Sequence, residues 1–164
     1  MPSKIKLKYI LIAIPFLAAI IFIIWLILTH RPTPMNTSLT QTKESLVRIG
    51  SINIPVEIAE TEAARKKGLS DRPSLDKNKG MLFVFSKPDF YSFWMPNMNF
   101  SIDIIWINDG EVIGITPDVS NNFDPKNPRT YSPPQPAQYV LEVNAGFGAK
   151  KNIKIGDAVV LEGI

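Results

Sequence analysis

Two hydropathy regimes divide the chain. From Tyr9 to Leu28 the run YILIAIPFLAAIIFIIWLIL is uncharged and apolar throughout, while beyond Leu46 the apolar residues come in short stretches separated by turn-forming residues. The first regime has the length an α-helix needs to cross the hydrocarbon core of a bilayer, about 20 residues. The second has the spacing of a β-rich domain. Leu46–Ala59 alternates by twos, with Val47 and Ile49, then Ile52, Ile54, Val56 and Ile58 on one face, and Gly50-Ser51 between the halves predicts a hairpin. Pro55 places its strand at an edge, or with its missing N–H turned away from the ladder. Thr61 as N-cap, Glu62 in the first turn and Gly68 as the stop predict a short helix over TEAARKKGL.

The centre of the chain is Gly80–Ile107. Its two apolar runs, Met81–Phe85 and Ile102–Ile107, are short and rich in β-branched and aromatic residues, so both read as buried strands. Phe90, Tyr91, Phe93, Trp94, Met95 and Met98 crowd between them, as a core strand or one wall of a pocket. Asn108-Asp109-Gly110 then predicts a second hairpin into Glu111–Ile115. Thr116–Ala137 holds six prolines and few apolar residues and reads as a long loop. Gln138–Val143 is a strand, Asn144–Asn152 a connection with room for one helical turn, and Ile153–Leu161 a final turn and strand.

Six or seven strands and one helix make a mainly β (α+β) domain, an antiparallel sandwich or small barrel with the helix on its flank. Its expected core is Met81, Phe83, Phe85, Ile102, Ile104, Trp106, Leu141 and Val143. The domain plan is a cytoplasmic N-terminus (1–8), a transmembrane anchor (9–28), a flexible tether (29–45) and a globular, monomeric domain (46–164).

Charge sets the topology. Lys4, Lys6 and Lys8 precede the apolar run and Arg31 follows it, which puts the N-terminus inside and the domain on the extracytoplasmic side. A cleaved signal peptide fits less well, because its apolar region is about 7–15 residues and ends in small residues. Residues 1–31 hold four of the 18 basic residues and no acids, leaving 14 against 15 acids, a net of −1 for the rest. The pI of 9.1 therefore belongs to the membrane end, and a nucleic-acid partner is not expected.

With no cysteine, and His30 as the single histidine, the domain lacks the residues for Ser-His-Asp or Cys-His catalysis, thiol redox chemistry or a His/Cys zinc site. No cofactor or metal is expected. The polar residues in apolar surroundings are Arg65, Arg72, Asn97, Asp103, Glu142 and Asn144. Asp103 and Glu142 are candidates for the acid and base of a carboxylate-dependent hydrolase; the plainer reading puts each on an alternating outer face or pairs it with Arg65 or Arg72 as a structural lock. Phe93 and Trp94 face opposite ways in an extended segment, so one belongs to the core and the other is free to line a cleft.

Several fragments taken together resemble the family known as domain of unknown function 192. They are Arg65 with Gly68, Leu69 and Arg72; Gly80–Phe85; Phe93-Trp94-Met95 with Asn97; Asp103-Ile104-Ile105; Tyr139–Val143 with Ala145-Gly146; and Gly156-Asp157. Ser70 and Asp71 stand where the family usually has methionine and a small or aromatic residue, and Met98 where it usually has threonine. The resemblance implies a compact, mainly β fold and supplies no activity. The function expected from these readings is a membrane-anchored ligand-binding module for a cell-envelope saccharide or peptide, with Arg72, Trp94, Asn97 and Asp103 at a cleft between Phe90–Asn97 and the proline-rich loop. A protein-interaction module using that loop is the third alternative.

Overall fold

The computed structural model describes residues 21–26 and 45–164. Residues 21–26 are helical, with exposed apolar side chains, and belong to a unit separate from the β-domain. The rest of the expected anchor and nearly all of the tether lie outside the described residues. Among the described residues no helix is long and apolar enough to cross a membrane.

The β-domain is one seven-stranded sheet. In chain order it contains β1 (Leu46–Ile49), β2 (Ile52–Ala59), α1 (Glu62–Lys67), β3 (Gly80–Asp89), β4 (Ile102–Asn108), β5 (Glu111–Val119), β6 (Ala137–Asn144), α2 (Phe147–Lys150) and β7 (Val159–Glu162). The strands lie side by side as β5-β4-β6-β3-β2-β1-β7. The sheet curls until its edges meet at one end, where Val159 N–H donates to the Gly110 carbonyl (2.7 Å) and Gly156 N–H to that of Val112 (2.8 Å). It is thus a curled half-barrel. Of the two expected architectures, this single curled sheet is nearer the small barrel than the sandwich, and a second short helix, α2, forms in the connection that had room for one helical turn.

One neighbour pair departs from the antiparallel rule. β2 and β3 run parallel from Val56↔Gly80 to Ala59↔Phe83, because parallel neighbours need a crossover connection and α1 with its exit loop supplies one. β2 changes partner along its length, pairing with β1 through Ile52–Pro55 and with β3 from Val56 onward. Pro55 sits at the changeover, inside the sheet and not at an edge. Thr61 caps α1 as its sequence implies, its hydroxyl accepting from Ala64 N–H at 3.1 Å. Asp109 and Gly110 both take positive φ (48° and 76°), the turn that lets β4 fold back onto β5.

Two strands outrun their predicted ends. β3 continues through Pro88 to Asp89 and β5 through Pro117 to Val119. In both, the proline falls where the ladder slips register, between Val84 and Asp89 and between the partners of Ile102 and Ile104. A bulge leaves a residue outside the ladder, so a missing N–H costs nothing there.

The sheet buries both faces. One carries Val47, Ile49, Ile54, Leu82, Ile105, Ile107, Leu141 and Val143, and Phe147 of α2 packs on it. The other carries Met81, Phe83, Ile102, Ile104, Trp106 and Val140, covered by Leu69 and Met95. The expected core residues are buried except Phe85, which is partly exposed. At Gly80, β3 and β6 touch so closely that a Cβ would meet Leu141 Cδ1 at 2.8 Å and the Glu142 carbonyl oxygen at 2.9 Å.

Candidate functional site

A cleft of about 360 Å³ opens on the second face of the sheet, between α1 with its exit turn and the segment 91–98. Backbone contacts hold its walls. Ser70 Oγ donates to the Pro96 carbonyl and Asp71 N–H to that of Asn97, each at 2.9 Å, tying the helix exit to the aromatic segment. On the other side Phe93 and Tyr131 exchange two backbone hydrogen bonds of 2.8 Å, fastening the segment to the proline-rich loop. Phe93 thereby turns inward, edge-on to Phe83 and Trp106. Trp94 turns outward and is 55% exposed, touching Phe123 edge-on at 5.9 Å.

Phe83, Phe85, Tyr91 and Met95 supply apolar lining, and Glu142 is the acid among the buried lining residues. Glu142 is 6% exposed and has neither a hydrogen-bonding nor an ionic partner for its carboxyl among the described residues. Burial without compensation pushes that carboxyl up to about 8, so it is protonated at neutral pH. Arg65 borders the same cleft. Its guanidinium lies 5.0 Å from the centre of the Phe85 ring, and one of its nitrogens, Nη1, donates to the carbonyls of Glu60 and Val84. Phe85 also stacks on Tyr91, with centroids 3.6 Å apart.

The residues expected at the site separate. Trp94 lines the cleft. Arg72 does not: both its terminal nitrogens grip Glu57, at 2.6 and 2.7 Å, and this hydrogen bonding holds the Glu57 carboxyl below its ordinary range. Asn97 is an exposed turn residue with φ of 54°, and its contribution is the carbonyl that Asp71 binds. Asp103 is buried on the opposite face, where its carboxylate accepts from the backbone N–H groups of Asp118 (2.9 Å), Gly146 (3.0 Å) and Gly148 (2.9 Å).

The register shows why Asp103 and Glu142 do not form a catalytic pair. Asp103 is opposite Val143 and Ile104 is opposite Glu142, and residues paired across a ladder share a face while successive residues alternate. The two carboxyls therefore point to opposite sides of the sheet. Acid and base roles across one bound glycoside have no geometry here. Asp103 is a structural lock as the plainer reading holds, though with backbone donors and not an arginine. Asn144 donates to the carbonyls of Leu75 and Asp76, pinning the loop that enters β3.

A second, more polar cleft of about 420 Å³ lies between Met95 and the proline-rich loop, lined by Asn122, Phe123, Asp124, Asn127, Arg129 and Tyr131. It occupies the place expected for the site, but no buried polar side chain is aimed into it. Among the described residues no cluster of His, Cys, Asp or Glu has the makings of a metal site.

A curled half-barrel with an unpartnered acid under an aromatic-walled cleft defines a class of small β-domain by structure alone. The chain belongs to DUF192, the domain of unknown function 192, described as an uncharacterised ACR family, whose model matches residues 45–161. It is similar to a crystal structure of a protein of unknown function from Novosphingobium aromaticivorans DSM 12444, at 32% identity over 71% of this chain and 83% of that one, with a TM-score of 0.63. It is also similar to a Sinorhizobium meliloti 1021 protein described as a "putative transcription regulator", at 26% identity over 74% of this chain and 95% of that one, with a TM-score of 0.67. No curated protein matches.

Proposed function

We propose that the domain is a ligand-binding module whose site is the cleft between α1 and the segment 91–98, held outside the cell membrane by the N-terminal run. The observation that carries this reading is Glu142. A buried polar group is normally satisfied within the fold, and leaving one without a partner costs about 1–3 kcal/mol. A bound ligand would supply the missing partner. Trp94 adds an exposed aromatic surface at the mouth, suited to the apolar face of a sugar ring or a peptide side chain. A cell-envelope saccharide or peptide is the ligand class consistent with the proposed location.

The test is a screen of envelope glycans and muropeptides on the full chain, followed by tryptophan emission. Binding should change the emission of the wild type and be lost in Trp94→Ala and in Glu142→Leu, with Glu142→Leu melting no lower than the wild type because it removes a buried, unpartnered acid. Binding indifferent to both substitutions would move the site elsewhere.

The location rests on the uncharged Tyr9–Leu28 run and the lysines before it. Protease added to intact spheroplasts should remove a C-terminal tag. A tag protected until lysis would contradict the extracytoplasmic placement.

A further inference from the structure

We infer that the ligand of this cleft is a small organic carboxylate on a ring with an apolar face, its carboxylate received by Glu142 and Arg65 and its ring by Trp94. The inference rests on the reading of the cleft as a ligand site and adds the chemistry of what enters it. Charge at the mouth comes first. α1 contributes Arg65, Lys66 and Lys67 against Glu62, and the one ion pair among them is Lys67 with Asp71. Tyr91, facing from the aromatic segment, has its hydroxyl engaged with the Lys87 carbonyl at 2.9 Å. The mouth thus carries an excess of positive charge, which attracts anions and opposes amines.

The donors come next. Arg65 uses Nη1 on two carbonyls, while its Nε and Nη2 have no partner among the described residues. At the floor, the neighbours of Glu142 across the ladders are Met81 and Ile104, both apolar, so neither offers the acid a hydrogen bond and burial leaves it its proton. A protonated carboxyl presents one O–H donor. An O–H donating to a carboxylate, assisted by a guanidinium, is among the stronger hydrogen-bonding arrangements available to a protein.

Size and wall shape limit the remainder of the ligand. About 360 Å³ is at the small end of ligand pockets, enough for one or two rings. Trp94 meets Phe123 edge-on and stays more than half exposed, so aromatic surface is left for a ring to lie against. Sugar acids and aromatic acids share this chemistry.

Calorimetric titration of the full chain between pH 6 and pH 9 distinguishes them, using glucuronate and benzoate as probes with glucose, benzyl alcohol and benzylamine as controls. At least one carboxylate should bind, and the controls should bind at least tenfold more weakly. Glucuronate alone would name sugar acids and benzoate alone aromatic acids. Affinity should be level to about pH 8 and then fall by about tenfold per pH unit as the acid loses its proton. Glu142→Gln, which keeps a donor, should bind without that fall, and Glu142→Leu should bind at least tenfold more weakly. A preference for benzylamine or a neutral control that is lost in Trp94→Ala would overturn the carboxylate while keeping the cleft as a ligand site. Carboxylate binding untouched by Glu142→Leu would overturn the role of the acid. Binding by none of the five probes would overturn the carboxylate, and the site itself stands or falls by the envelope-ligand screen with Trp94→Ala.

Discussion

Glu142 and Asp103 are both buried carboxyls, one residue out of step across the β4–β6 ladder, and their surroundings give them opposite parts. Asp103 has three backbone donors around it and joins the β5 bulge to the turn before α2. Glu142 has none, and its proton is held by burial. That difference has a consequence for stability. The unfolded chain releases the Glu142 proton near 4.5, whereas the folded one keeps it to about 8. Between those values the native state binds the extra proton, so this group's contribution falls as pH rises through the window and is level above it. Over the window the loss amounts to at most about 5 kcal/mol. Glu142→Gln does not titrate. In urea unfolding the variant should match the wild type near pH 4 and exceed its stability by several kcal/mol at pH 8. Parallel stability curves for the two proteins would show that the acid is solvated or paired.

At the scale of elements, much of the fold is legible in local chemistry. The β1–β2 hairpin, the capped α1, the Asp109-Gly110 turn and the single turn of α2 fall where their residues imply, because each is set by interactions within a few positions. The errors share a cause. The expected strands Met81–Phe85 and Glu111–Ile115 stop short of Pro88 and Pro117, yet both prolines lie within the strands, where the ladder slips register and requires no N–H. The same bulge gives Asp118 its positive φ of 51° and releases its N–H to Asp103, a partnership that depends on folding and has no local signal. Likewise the strand–helix–strand order of β2, α1 and β3 carried the signature of a parallel pair, hidden among hairpins.

At the scale of the whole molecule, the sheet has two buried faces and places the cleft on one of them. Alternation in the sequence separates Phe93 from Trp94 correctly, and Trp94 is the expected ligand contact that the fold brings to the cleft. Arg72, Asn97 and Asp103 were marked by polarity in apolar context, a signal that does not distinguish a ligand contact from a lock, a turn or a cap. Arg65 and Glu142 carry the same signal, and what sets them apart is the register that puts Glu142 on the side of α1. Ligand binding in this cleft requires that acid to be unpartnered, protonated and open to a ligand. The most direct measurement is a pH titration of the Glu142 side-chain carboxyl carbon by NMR on the full chain, the signal assigned by its loss in Glu142→Gln. The predicted midpoint is about 8 in the free protein, moving upward when glucuronate or benzoate is added. A midpoint near 4.5, unmoved by either, would contradict the account.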